Sequence, residues 1–276
     1  MKTTAEKLNE VRSNGYEFNF GQVFEQTFEN YKKIALIGGA VFLVFAILLI
    51  VLSVGLGAMF GMASFMSGGL TGMKNMEGLT ALSILVKVGV AVLTAAFVAP
   101  LNAGMLKMAH NAETYREFSF STAFDHYKSG YFKNIFVATL ITTMFSQAFQ
   151  LTFEMFQLYN AVPAYTFIFG ILNFIISCFI GLLTLFVLPL IIFGDLSASE
   201  AIKGSVMLVF KKFWVLLILA LLVFVCAGLG IIGICIGVFF TVPIIYSFQY
   251  IAYRNAVEID DADEMEEIGL GEDNTF

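Results

Sequence analysis

Charge is scarce in this chain. Only 13% of its 276 residues are Asp, Glu, Lys or Arg, about half the share of an average soluble domain. So few charges cannot cover a globular surface, which excludes a soluble monomer. Histidine, cysteine and proline are also few, at two, three and four residues. A histidine-based metal site usually draws on three or more ligands. His110 and His126, even with Glu113, Glu117 and Asp125 nearby, read as polar loop residues. Cys178, Cys226 and Cys235 all lie in apolar runs and form no CxxC pair. They supply neither a disulfide framework nor zinc spacing, and read as small buried hydrophobes. The sequence has no GxxxxGK[ST] loop, no GxSxG elbow and no HExxH pair. No catalytic residue, metal ligand or cofactor is therefore expected, and nothing points to nucleic acid.

Apolar side chains are what the chain has in quantity. Hydrophobic residues make up 59%, aromatic residues 15%, and the mean hydropathy is +0.85. Disorder is excluded, since it requires low hydrophobicity. A hydrocarbon core about 30 Å thick takes roughly 20 apolar residues as helix, and backbone groups in lipid must bond within their own segment. The expected fold is all-α and polytopic, with six transmembrane helices. The runs are 34–57, 80–108, 134–153, 164–193 and 213–253. The last is too long for one span and is interrupted by Gly228, Gly230, Gly233 and Gly237, so it divides near Leu229. The segment 55–78, rich in Gly and Met, reads as an outer loop or lip.

Charge placement orients these spans. With the N-terminus in the cytoplasm, 13 of the 15 bases fall on the inside. Lys74 lies outside and Lys87 within the second span. This bias fits the positive-inside rule with both termini cytoplasmic. Nine of the 21 acids crowd between Glu258 and Asp273. The remaining 12 acids against 15 bases leave the body at +3, although the whole chain carries -6. Three regions follow: a polar segment 1–17, a membrane domain 18–255 and an acidic cytoplasmic tail 256–276.

The membrane domain reads as three repeats. Segments 18–24, 118–124 and 196–202 align without gaps, and a lysine follows 15 positions after the start of each: Lys33, Lys133 and Lys211. Large side chains recur at helical spacing, as in Phe20, Phe24, Phe28 and Tyr31, or Phe120, Phe124, Tyr127 and Tyr131. Such stripes beside a span predict amphipathic helices lying in the interface. Ser197 and Glu200 have capping-box spacing, which predicts a helix start in the third segment. Pro100, Pro189 and Pro243 fall in the return span of each pair, toward its cytoplasmic end. Proline removes a backbone bond and bends a helix, so the expected unit is an interfacial helix, a span and a kinked return span.

Three features carry a resemblance: the Phe118-Ser-x-x-x-Ala-Phe124 segment, the Tyr31-Lys-Lys pattern before a span, and the return-span ending Pro243-Ile-Ile-Tyr-Ser-Phe-Gln-Tyr-Ile-Ala-Tyr-Arg254. Here the sequence resembles the membrane domain attached to some bacterial glycerophosphodiester phosphodiesterases, and related stand-alone six-span inner-membrane proteins. The resemblance covers most of residues 18–255. It implies a multi-pass domain in a bacterial inner membrane, with no catalytic residue to carry over.

Charges and amides inside lipid are functional suspects by default. Lys87 could snorkel or pair with Glu154 at the outer end of the third span. Asn173, with Gln147 and Gln150, could hydrogen-bond between helices. The first reading of function is a non-enzymatic membrane protein with a lipid-facing organising, sensing or transport role. Its partners would be membrane lipids and partner membrane proteins. A small-solute transporter using Lys87, Glu154 and Asn173 is the alternative. A carotenoid monooxygenase-like enzyme is a third reading, which would require a cluster of several histidines.

Overall fold

A computed structural model describes residues 3–75, 81–159, 163–231 and 237–257. Ten α-helices follow one another among these residues: α1 (Thr4–Asn14), α2 (Phe20–Asn75), α3 (Ala81–Glu113), α4 (Phe132–Tyr159), α5 (Pro163–Leu183), α6 (Val187–Ile192), α7 (Ala198–Lys211), α8 (Phe213–Gly228), α9 (Gly237–Thr241) and α10 (Pro243–Val257). Short 3-10 helices occupy Phe120–Tyr127 and Leu229–Ile231, and the described residues contain no strand. Five helical stretches are long and apolar enough to cross a membrane: Phe20–Val51, Lys87–Glu113, Phe132–Phe156, Tyr165–Ile192 and Phe213–Ile231. The sixth expected span falls partly on 232–236, outside the described residues, and its remainder is divided between α9 and α10.

The three expected interfacial helices take three different forms. The first does not separate from its span. Helix α2 runs 56 residues without a break and extends through most of the expected outer loop. No proline lies between Phe20 and Asn75 to stop it, and Lys32 and Lys33 interrupt hydropathy without interrupting the backbone. The second is only the eight-residue 3-10 turn Phe120–Tyr127. It lies against α3, where a Cβ on Gly104 would collide with the backbone carbonyl of Ala123. The third, α7, is a separate helix. Ser197 and Glu200 form the capping box expected from their spacing, satisfying two of the free amides at the helix start. Its apolar face, with Ala201, Ser205, Leu208 and Val209, is buried against protein.

Proline placement also divides. Pro100 sits inside α3. Pro189 is the third residue of α6, after the break at Thr184–Phe186, and Pro243 opens α10. Among the α-helices the most extensive packing joins α3 to α4 and α2 to α10, helices assigned to different expected hairpins.

Burial is concentrated at one end of the bundle. Leu101, Met105, Leu106, Leu190, Ile191 and Ile251 are fully buried. Toward the other end Ile47–Val51, Phe145 and Phe174 are exposed, and Phe167 is 72% exposed. An aqueous protein does not present such large apolar surfaces. Lipid as the solvent accounts for them, because hydrocarbon imposes no penalty on leucine or phenylalanine. The buried end is also the basic end. There Arg254 pairs with Glu113 at 2.7 Å, Lys107 with Asp125 at 2.7 Å, and Lys33 donates to the Ala112 carbonyl at 3.1 Å. Fully buried Asn30 donates to the Ala109 carbonyl and to Glu113, and accepts from Ser247 at 2.8 Å. These bonds tie α2, α3 and α10 together at one level.

A candidate functional site at an interrupted helix

The break between α5 and α6 removes backbone partners inside a span. In a continuous helix the Leu183 carbonyl would accept from Val187, and the Phe186 N–H would donate to Leu182. Instead Val187 donates to Thr184 and Leu185 donates to Leu182, both at 3.1 Å. One residue of α7 repairs both losses. The Phe186 N–H donates to Ser205 Oγ at 3.0 Å, and the Ser205 hydroxyl donates to the Leu183 carbonyl at 2.7 Å.

Pro189 causes a third loss. Lacking an N–H, it leaves the Leu185 carbonyl, four residues earlier, without its helical donor. Gln249 of α10 supplies one, its Nε2 lying 2.5 Å from that oxygen. A side chain also bonds the backbone of α3, one residue past the Ala96 carbonyl that Pro100 deprives of its donor. Tyr127 donates its hydroxyl to the Phe97 carbonyl at 2.8 Å, in the turn preceding Pro100. Near Pro243, Thr241 donates to the Ala227 carbonyl at the end of α8 at 2.6 Å. Side chains from other segments thus satisfy the Leu183 and Leu185 carbonyls that the interrupted helix leaves open.

A cleft of about 300 Å³ opens beside the break, between α3, α4, α5, α6 and α10. Its polar groups are Asn102, Thr139, Thr142, Thr184, Tyr246 and Gln249, and no charged side chain lines it. Tyr246 donates to Asn102 Oδ1 at 2.8 Å and stacks on Phe42 of α2. Thr142 and Thr184 donate to carbonyls of their own helices at 2.9 and 3.0 Å, which leaves their oxygens able to accept. The Asn102 amide nitrogen and the Gln249 amide oxygen have no partner among the described residues. An uncharged guest with hydroxyl and carbonyl groups matches this set. Cations and anions do not, since nothing in the wall would offset their desolvation.

The residues singled out from sequence have distinct surroundings. Lys87 and Glu154 form an ion pair of 2.6 Å, with Lys87 largely exposed and Glu154 largely buried. Gln150 donates to the same Glu154 oxygen at 3.1 Å, while the second carboxylate oxygen is buried without a partner. Asn173 is half-buried and forms no hydrogen bond among the described residues. Pro189 lies at the cleft through its effect on Leu185. Pro100 directly follows the lining residue Ala99, and Pro243 lies two residues before the lining residue Ile245.

The two histidines are employed separately. His110 Nδ1 lies 3.0 Å from the Tyr250 hydroxyl, and its ring packs on Phe193. His126 is buried with Nδ1 3.2 Å from Ser129 Oγ. Burial, reinforced by the Lys107 charge and opposed by Asp125, holds its pKa down to about 4, so the ring is neutral at neutral pH. Among the described residues no three His, Cys, Asp or Glu side chains gather as a ligand set.

Sequence reasoning missed Ser205, Gln249, Tyr246 and Asn102. A signal was available: Ser205 and Gln249 are polar residues within apolar stretches, and a proline announces which carbonyl needs a donor.

No family model matches the chain, and neither the curated proteins nor the solved structures provide a match.

Ser205→Ala should lower stability by about 1–3 kcal/mol for each backbone group left bare, and Gln249→Leu by a similar amount for one group. Thr139→Val, on the facing wall, should change it by less than about 1 kcal/mol. Unfolding of the three variants in detergent checks this ranking. Equal stability of all three would show that the break does not depend on those donors.

Proposed function

We propose that the chain is a non-enzymatic multi-pass membrane protein with a lipid-facing role, organising, sensing or moving amphiphiles. The cleft beside the interrupted helix carries this reading. It places an uncharged, hydrogen-bonding wall within an otherwise apolar span, where lipid headgroups and acyl chains are the nearest molecules. The reading uses six spans in three hairpins, each introduced by an interfacial segment. It sets the protein in a bacterial inner membrane with its basic end and both termini in the cytoplasm. The resemblance to phosphodiesterase membrane domains and the 13 bases on one side of the expected topology support this placement. Membrane lipids are its expected partners, with other membrane proteins as the second class.

The test uses the protein in vesicles containing a photoactivatable, uncharged diacylglycerol. Crosslinks should concentrate on peptides bearing Thr139, Thr142 and Gly181–Leu188, and should fall several-fold in the Thr139→Val, Thr142→Val double variant. Labelling spread evenly over the exposed helix faces and unchanged in that variant would overturn the proposal.

A small-solute transporter is the second reading, favoured by one observation. Glu154 keeps a buried carboxylate oxygen without a partner while its other oxygen holds Lys87. Intramembrane ionisable pairs commonly mark solute or ion pathways. Under this reading Lys87→Met abolishes uptake of a labelled solute in cells. Unaltered uptake by a stable Lys87→Met protein would remove it.

A further inference from the structure

A second cavity, of about 470 Å³, lies between α1 and α7 at the basic end, away from the cleft. The two helices build it from matching faces. Helix α1 contributes Ala5, Leu8, Asn9 and Arg12, and helix α7 contributes Glu200, Lys203, Gly204 and Met207. Both sets follow the i, i+3, i+4, i+7 spacing that places residues on one side of a helix. Leu8 and Met207 give the cavity an apolar floor, while Arg12 and Lys203 stand in its wall.

The walls are fixed in place. Thr3 and Glu6 form a capping box at the start of α1. Beyond its end, Tyr16 donates its hydroxyl to the Leu208 carbonyl of α7 at 3.1 Å, and Lys211 donates to the Arg12 carbonyl at 2.8 Å. Leu8 lies over Gly204, where a Cβ would meet one of its methyl groups at 3.2 Å. Helix α1 is thus anchored on α7, and α7 leads directly into the span that begins at Phe213.

The cationic groups are left over. Among the described residues the Arg12 guanidinium has no hydrogen bond or ion pair, and Lys203 has no ion pair. Glu200, one turn earlier, acts on Lys203 through space only. Its carboxylate is already engaged by the Ser197 amide at 3.1 Å and the Ser197 hydroxyl at 2.6 Å. The site therefore combines two cations with one committed anion, a net charge of +1. A phosphodiester carries a single negative charge, and an attached apolar chain would rest on Leu8 and Met207.

We infer that the cavity between α1 and α7 binds an anionic phosphoester amphiphile, with Arg12 and Lys203 holding the anion and Leu8 and Met207 the adjoining chain. Asn9 adds a neutral hydrogen-bonding group to the same wall. Occupancy links the two helices through the ligand, so binding tightens α1 on the body. This inference stands independently of the cleft, which is uncharged and formed by other helices.

The test uses the full-length protein in neutral detergent, titrated with short-chain phosphatidylglycerol, short-chain phosphatidylcholine or inorganic phosphate. Binding is read from amide exchange in residues 4–14 and from thermal stability. Phosphatidylglycerol should slow exchange in α1, whereas phosphatidylcholine and inorganic phosphate at equal concentration should not. Arg12→Gln and Lys203→Gln should each weaken binding about fivefold. Glu200→Gln retains the capping pattern and should strengthen it. Lys128→Gln, an exposed base on the turn beside α3, should leave it unchanged. Equal protection by inorganic phosphate would overturn the amphiphile assignment. Unchanged affinity in both cation variants, or a Lys128→Gln loss equal to theirs, would overturn the site.

Discussion

An unpaired peptide group in hydrocarbon costs several kcal/mol, and the interior of this protein is arranged around that cost. A chain dissolved in lipid can interrupt a helix only where another segment supplies the missing donors and acceptors. At Leu183–Phe186 the supplier is Ser205, and at Leu185 it is Gln249. Helices α5, α6, α7 and α10 are thus joined by backbone demand as well as by packing. The cleft follows from the same arrangement. A helix that turns aside at its break leaves a gap, and the groups that repair it give the gap polar walls.

The distribution of burial has a related origin. Apolar attraction drives little helix association in lipid, because acyl chains are as apolar as leucine. Close packing and polar bonds must hold the bundle instead, and the basic end is rich in both. Gly104 lets the 120–127 turn reach α3, and Gly39 lets Phe240 lie on α2. The Asn30, Glu113 and Arg254 network spans three helices there. Removing one partner of this half-buried network would leave the others without a counter-charge or donor. The opposite ends of α2, α4 and α5 leave large apolar side chains to the lipid.

Local features were legible in the sequence. Five apolar runs became helices of spanning length because hydropathy over 20 residues is sufficient to specify them. The capping box at Ser197 was readable since both partners lie within one turn. The pairing of Lys87 with Glu154 was one of the options their positions allowed, and the distance of 2.6 Å selects it. Relations between distant segments were not legible. Gln249 lies 64 residues from the carbonyl it serves, and no periodicity encodes that pairing. The Gly- and Met-rich stretch after Gly55 read as an outer loop or lip, yet helix α2 continues to Asn75, with no proline to interrupt it. Amphipathic spacing in 196–211 read as an interfacial helix. Its apolar face meets protein instead, since periodicity specifies that a face is buried and not what buries it.

The interrupted, polar-walled helix segment is expected at hydrocarbon depth. Nitroxide labels at Gly181→Cys and Leu188→Cys, in a protein whose native cysteines are replaced by alanine, measure that depth directly in lipid vesicles. Their collision rates should be high with dissolved oxygen and low with a water-soluble nickel chelate. Nickel collision rates at both positions as high as at a label on exposed Glu6 would place the segment in water and contradict the account.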